Sequence, residues 1–187
     1  MDITSLFEFA VKHQRLHDCS ALPYEEYQKL FEIVKHAQPK HVLEIGTGIG
    51  FTACVMALAS PNAKIDTIEK DAEHARLARD FIKDCFAAPA SRLAMTKPNR
   101  VVVHNVVAEE YLPTLQERYD LIFFDGFQIH YEFLPHYERL LTPSGILIVG
   151  NNHLSSKTSD QFFEGLSNSQ VWKVVDKFED TTVAQRI

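Results

Sequence analysis

Glu44-Ile45-Gly46-Thr47-Gly48-Ile49-Gly50-Phe51-Thr52 leaves an apolar run, His41-Val42-Leu43-Glu44-Ile45, and enters a helical pattern. Glycines at such a junction remove side chains, so backbone N–H groups at a helix N-terminus can approach a ligand closely. Two acids support a ligand-binding reading. Glu44 lies two positions before the first glycine, and Glu69 ends the next strand-like run, where a carboxylate can accept from both hydroxyls of a ribose.

Outward from this turn, strand-like runs alternate with helical patterns from about residue 40 to about residue 150, the signature of a parallel sheet with crossover helices. The strand candidates are His41 to Ile45, Ala63 to Glu69, Arg100 to Asn105, Tyr119 to Asp125 and Gly145 to Gly150, apolar enough to be covered on both faces. Asp71 is the expected N-cap of a helix whose Ala75, Ala78, Phe81, Ile82 and Cys85 share a face. His130 to Leu141 repeats the device with Phe133, Leu134, Tyr137, Leu140 and Leu141. Within residues 1–38 two helices are expected to cover the cleft, one opened by Ser5 with Glu8 in a capping box, the other with Pro23 in its first turn. After Asn152 come a polar helix, Ser155 to Leu166, and two strands, Val171 to Phe178 and Thr181 to Ile187, made antiparallel by the tight Glu179-Asp180 connection. Ser60-Pro61-Asn62 and Ala87 to Asn99 read as connecting loops. The expected fold is one three-layer α/β domain with a seven-stranded, mostly parallel sheet and an antiparallel last strand.

Composition narrows the class. A chain of 187 residues, 45% hydrophobic and 24% charged, supports one core. It has no apolar run of roughly 18 residues and no signal-peptide pattern, so no membrane association is expected. Cys19, Cys54 and Cys85 form neither a disulfide framework nor a CxxC pair, which points to a reduced, cytoplasmic protein with buried thiols. The net charge of −6 disfavours unspecific attraction to nucleic-acid phosphates.

The glycine spacing is G-x-G-x-G, not the G-x-G-x-x-G that suits a dinucleotide pyrophosphate, which argues against a nicotinamide-dependent oxidoreductase. It fits the zwitterionic sulfonium of S-adenosylmethionine, with Glu44 either near that cation or orienting the turn. The pattern E-x-G-x-G-x-G followed by TIEKD resembles the class I S-adenosylmethionine-dependent methyltransferases. More narrowly, VLEIGTGIGFTA, YDLIFFDGFQIHY, LLTPSGILIVGNNHL and EDTTVAQR are similar to motifs of the catechol and caffeoyl-CoA type O-methyltransferase family, including its small bacterial members. The resemblance spans roughly Leu22 to Ile187 and implies a Rossmann-like methyltransferase fold, methyl transfer to the hydroxyl of a small molecule, and a homodimer.

Carried over by position, the resemblance puts Gly46, Thr47, Gly48, Gly50 and Phe51 at the cofactor turn and the Thr52 hydroxyl near the cofactor's carboxylate. Glu69 would hold the ribose and Lys70 lie beside the adenosine, while Val107-Ala108 stand where the family has an Asp-Ala pair at the adenine. The family also implies a divalent metal on an Asp and an Asp-Asn pair, with a Lys three residues after the first Asp. Asp125 is kept, but Gln128 replaces the Lys and the pair becomes Gly150-Asn151, or Asn151-Asn152 with one insertion. One carboxylate is missing, which leaves the metal ligands unassigned and magnesium dependence in question. Asp125 would then accept from the cofactor's amino group, and Asp125, Asn151 and His153 form the catalytic set. His130 and His153 are candidate proton acceptors. Tyr131 would line the cleft or enter the core. RNA is the alternative acceptor, motivated by Arg92, Lys97 and Arg100 in one loop. A module that binds S-adenosylmethionine without turnover is the non-enzymatic alternative.

Overall fold

The computed structural model describes residues 2–87, 100–150 and 156–187. The strands are β1 (His41–Ile45), β2 (Lys64–Glu69), β3 (Val101–Asn105), β4 (Tyr119–Phe124), β5 (Leu141–Val149), β6 (Trp172–Phe178) and β7 (Thr181–Arg186). They form one seven-stranded sheet in the order β3-β2-β1-β4-β5-β7-β6. Pairings among β1 to β5 are parallel, while β7 runs antiparallel between β5 and β6. The expected mixed sheet is present, with the last strand inside it and β6 at the edge.

Side chains alternate along a strand, so each central strand feeds two apolar layers. Val42, Leu121 and Ile148 join one core cluster; Leu43, Ile122 and Leu147 join the other. The first layer is closed by α1 (Ile3–Leu16), α2 (Tyr27–Ala37), α3 (Phe51–Ala59) and α4 (Ala72–Ala87), the second chiefly by α6 (Leu134–Leu140) and α7 (Lys157–Asn168). Fully buried side chains such as Phe81, Phe123 and Phe162 each contribute about 1.5–3 kcal/mol. A short helix, α5 (Ala108–Tyr111), follows β3.

Register positions the site. Ile45 of β1 pairs with Ile68 of β2 on one side and Phe124 of β4 on the other. The next residues, Gly46, Glu69 and Asp125, therefore emerge level with one another at the carboxyl ends of three adjacent strands. Backbone bonds from Gly46 N to Ile68 O (3.0 Å) and Asp125 N to Ile45 O (2.8 Å) carry the lattice one step beyond the strands.

Several boundaries differ from expectation. The α1 N-cap is Asp2, whose carboxylate accepts from the Ser5 amide at 2.8 Å, so Ser5 lies inside the first turn. Pro23 lies outside α2, which begins at Tyr27; the Tyr24 hydroxyl bonds to Thr181 of β7, drawing this stretch down to the sheet. Asp71 does cap α4, its Oδ1 accepting from the Glu73 and His74 amides, both at 2.9 Å. The His130 to Leu141 segment opens as a 3-10 turn, Tyr131–Phe133, before α6. Strand β5 starts at Leu141 rather than Gly145, because a bulge at its first pairing with β4 and a left-handed Ser144 absorb Thr142-Pro143-Ser144. The polar helix is α7, capped by Ser156. Arg100 is a correction of another kind. It is buried, and its guanidinium donates to the carbonyls of Ala57, Ser60 and Ala63, closing the end of α3. It is no surface cation for RNA; Arg92 and Lys97 lie outside the described residues.

Candidate active site

At the carboxyl edge of the sheet lies a cavity of about 810 Å³. Its floor is the turn after β1, its sides are the ends of β2, β3 and β4, and its roof is the Ser20 to Glu26 segment between α1 and α2. Gly46, Thr47, Gly48, Phe51, Thr52, Glu69, Lys70, Ala108 and Asp125 all line it. Thus most of the residues expected at a nucleoside site meet around one space.

Glycine is required at the first position of the turn. Gly46 has φ +95°, and a Cβ there would stand 2.6 Å from the Asp125 carbonyl oxygen. The bare backbone lets β4 come alongside and keeps that side of the cavity open. Gly50 serves otherwise. It does not line the cavity, and a Cβ on it would meet Ile82 and the Ala78 carbonyl of α4 at 3.1–3.2 Å, so it is a packing glycine between helices.

The Glu69 carboxylate is held by backbone amides on both oxygens: Gly48 N to Oε2 and Asp71 N to Oε1, each at 2.9 Å. The acid thus bridges the glycine turn and the start of α4. Each oxygen keeps a further lone pair for a ligand hydroxyl. The Asn105 side-chain amide donates to the Glu69 and Lys70 carbonyls, fixing the adjoining backbone.

Glu44 stands behind the turn, fully buried, and does not reach the cavity. It accepts from the Thr52 hydroxyl of α3 and the Thr67 hydroxyl of β2, and Thr67 in turn meets the Thr47 hydroxyl. Of its two expected positions the structure gives the one that orients the turn. Burial pushes its carboxyl up to about 7, opposed by the two threonine hydroxyls. The Thr52 hydroxyl is engaged with Glu44, so its expected place beside a ligand carboxylate is not what this structure displays.

At the end of β3 it is Val106, Ala108 and Glu109 that face the cavity, while Val107 points outward. Gln128 and His130 line it too. Tyr131 neither lines the cavity nor enters the core; it is half exposed and packs on Gly165 of α7. Asn151 and His153 lie outside the described residues. The cavity wall also includes Tyr24, His74, Phe127 and Asp180, which the motifs did not single out. Asp180 sits in the β6–β7 turn, and only the three-dimensional return of the last strands brings it there.

The positions implied for a magnesium ion offer few ligands. Asp125 supplies a carboxylate, Gln128 no cation, and Gly150 no side chain. The space above Gly150 is tight, since a Cβ there would lie 3.2 Å from the Tyr24 ring, which would have to give by a few tenths of an ångström, and 3.4 Å from Asp125 Oδ1. At the positions the resemblance assigns, the described residues present one acid where the resemblance implies two, and Asn151 and Asn152 lie outside them.

Comparison with known proteins gives a consistent picture. The profile of the O-methyltransferase family matches residues 2–168. A catechol O-methyltransferase of Niastella koreensis is 32% identical over 120 residues, covering 62% of this chain and 50% of that protein. The chain thus spans about half the length of the curated relative it matches. The O-methyltransferase from Bacillus cereus in complex with SAH superposes with a TM-score of 0.80 at 19% identity, over 98% of this chain and 90% of that one. TomG from Streptomyces achromogenes, an O-methyltransferase involved in tomaymycin synthesis and solved with SAM, gives 0.77 at 20% identity, over 97% and 89%. Among the described residues no helix is long and apolar enough to cross a membrane.

Proposed function

Because this chain belongs to the O-methyltransferase family, we propose that it transfers the methyl group of S-adenosylmethionine to a hydroxyl oxygen of a small molecule. The observation that carries the proposal is the level emergence of Gly46, Glu69 and Asp125 into one cavity, set by the pairing of Ile45 with Ile68 and Phe124. The chemistry the bound cofactor supplies is an electrophilic methyl on a sulfonium. Glu69, already clamped by two amides, accepts from the ribose hydroxyls. The glycine turn admits the amino-acid end, and Asp125 accepts from its ammonium. The apolar stretch Ile45, Ile68 and Phe124 beneath the cavity excludes water, which favours an in-line displacement between aligned partners.

The acceptor enters from the side of Leu22, Phe127 and His130. Leu22 and Phe127 are 78% and 79% exposed, an apolar rim that suits a flat organic acceptor. His130, on the cavity wall next to the Phe127-Gln128 stretch, is the candidate to take the hydroxyl proton as the new C–O bond forms. No metal step enters, in keeping with the single carboxylate at the assigned positions. The burial of Arg100 removes one of the three cations that motivated an RNA acceptor. A homodimer and a cytoplasmic location belong to the same reading, supported by the resemblance and by three free, buried thiols.

Calorimetry with S-adenosylmethionine, followed by transfer of labelled methyl to a panel of hydroxylated aromatics with and without magnesium, tests the proposal. Saturable binding with label incorporation supports it. Binding without transfer to any acceptor would favour a non-catalytic module, and absence of binding would remove the reading altogether.

A further inference from the structure

At the opposite end of the sheet, about 13 Å down β1 from the cavity by strand rise, polar side chains from separate segments meet. They are His41 of β1, Lys64 and Asp66 of β2, His104 of β3, and Glu117 in the connection into β4. Asp66 is buried, with Oδ2 2.8 Å from His41 Nε2 and 3.2 Å from Lys64 Nζ, and Oδ1 2.9 Å from His104 Nε2. Glu117 Oε2 lies 3.4 Å from His41 Nε2 and 3.2 Å from Lys64 Nζ. One ligand atom each from His41, Asp66 and Glu117 lie within 4.8 Å of one another.

The convergence of ligand atoms on His41 is the decisive observation. Its Nε2 faces a carboxylate oxygen of Asp66 at 2.8 Å and one of Glu117 at 3.4 Å, while Nδ1 lies 3.2 Å from the Arg118 carbonyl oxygen. One imidazole nitrogen and two carboxylates from three separate segments thus surround one small space, with Asp66 buried at its base.

We infer that this cluster is a site for one divalent first-row transition ion of the zinc class, held by His41 Nε2, Asp66 and Glu117, with a fourth position for water. The donor set of one imidazole and two carboxylates is the borderline nitrogen–oxygen type that such ions take. Tetrahedral ligands about 2.1 Å from zinc stand about 3.4 Å apart, the separation His41 and Glu117 already have. Outer partners are in place: the Arg118 carbonyl lies beside His41 Nδ1, and His104 holds the other Asp66 oxygen, its own Nδ1 3.5 Å from the Tyr111 hydroxyl. Two carboxylates neutralise the ion. The Lys64 ammonium now bridges them, but its side chain is half exposed on a flexible stem and can swing into solvent. Lys64 is therefore a built-in competitor. A bound ion would tie the entry of β4 to β1 and β2.

Zinc titration of the untagged full chain tests this, by calorimetry or competition with a chelating dye. One equivalent is expected to bind with a micromolar or lower Kd. His41→Gln and Glu117→Gln should each weaken it at least tenfold, and Lys64→Ala should tighten it severalfold. Asp125→Asn should leave it unchanged, which separates this site from any ion in the cavity. Glu117 and Lys64 lie at the surface, so their variants keep the core intact. No saturable binding, undiminished binding in His41→Gln, or no gain in Lys64→Ala would overturn the assignment in favour of a proton-only ion-pair network.

Discussion

The α-carbon of Gly46 faces the main chain of Asp125 so closely that a Cβ would stand 2.6 Å from its carbonyl oxygen and 2.9 Å from the Gly126 nitrogen. Backbone on backbone cannot yield as a flexible side chain can. Gly46→Ala must also place alanine at φ +95°. The expected cost is about 3 kcal/mol, a fall in Tm of roughly 6–12 °C, together with loss of S-adenosylmethionine binding. Thermal melting and calorimetry check both. An alanine variant with unaltered melting would remove the close approach from the argument.

Glu69 serves both the turn and the ligand. Glu69→Gln keeps an acceptor for one backbone amide but turns its NH2 group onto the other, so melting should fall by a few degrees while nucleoside affinity drops. Losing one charge-assisted bond to a ribose hydroxyl costs about 1.5–3 kcal/mol, a roughly 10- to 100-fold rise in Kd. Equal affinity in the two proteins would place the ribose elsewhere.

Glu44 makes stability depend on pH in an unusual sense for an acid. Its folded value, about 7, lies above the ordinary value of 4.5. Between those limits the folded protein keeps a proton that the unfolded chain releases, so this group's contribution falls as pH rises from about 4.5 to 7 and is level beyond. Glu44→Gln removes the titration. Stability of the native protein minus that of the Gln variant should decline by on the order of a few kcal/mol across the window, measured by urea unfolding at several pH values. Parallel curves for the two proteins would mean Glu44 does not titrate there.

The Tyr24 ring over Gly150 bears on metal dependence. Turnover should change less than twofold on adding a chelator of magnesium. Gly150→Asp alone should not create a magnesium requirement, because its side chain meets the ring at 3.2 Å from the first carbon onward. Gly150→Asp combined with Tyr24→Ala frees that volume and is the variant in which magnesium stimulation should first be seen. Strong inhibition of the native protein's turnover by chelation would overturn this expectation.

Arg100 offers a check on the discarded surface role. Arg100→Met leaves the carbonyls of Ala57, Ser60 and Ala63 without their donor, and destabilisation of about 2–4 kcal/mol is expected. A surface cation would cost almost nothing by the same melt.

How much of this was legible in the residues alone follows from the range of the forces involved. Strands such as His41 to Ile45 were readable because burial on both faces demands continuous apolar runs, and Asp71 because capping is a local bond. The start of β5 was not, since the bulge that admits Leu141 is set by pairing with Tyr119 on another strand. In the site, the glycine turn and Glu69 carried their own signal. The distinction between Gly46, which faces Asp125, and Gly50, which faces α4, needed the packing of α4. Arg100 looked like its loop neighbours because nothing local tells a solvated guanidinium from one that caps a helix 40 residues away.

Tyr24 and Thr181 are separated by 157 positions yet share a hydrogen bond. The cavity roof is thereby stapled to the strand that follows the Asp180 turn. A guest that lifts or settles the roof must tug on this staple, so deuterium uptake along β7 should act as a remote gauge of occupancy for a space the strand itself does not line.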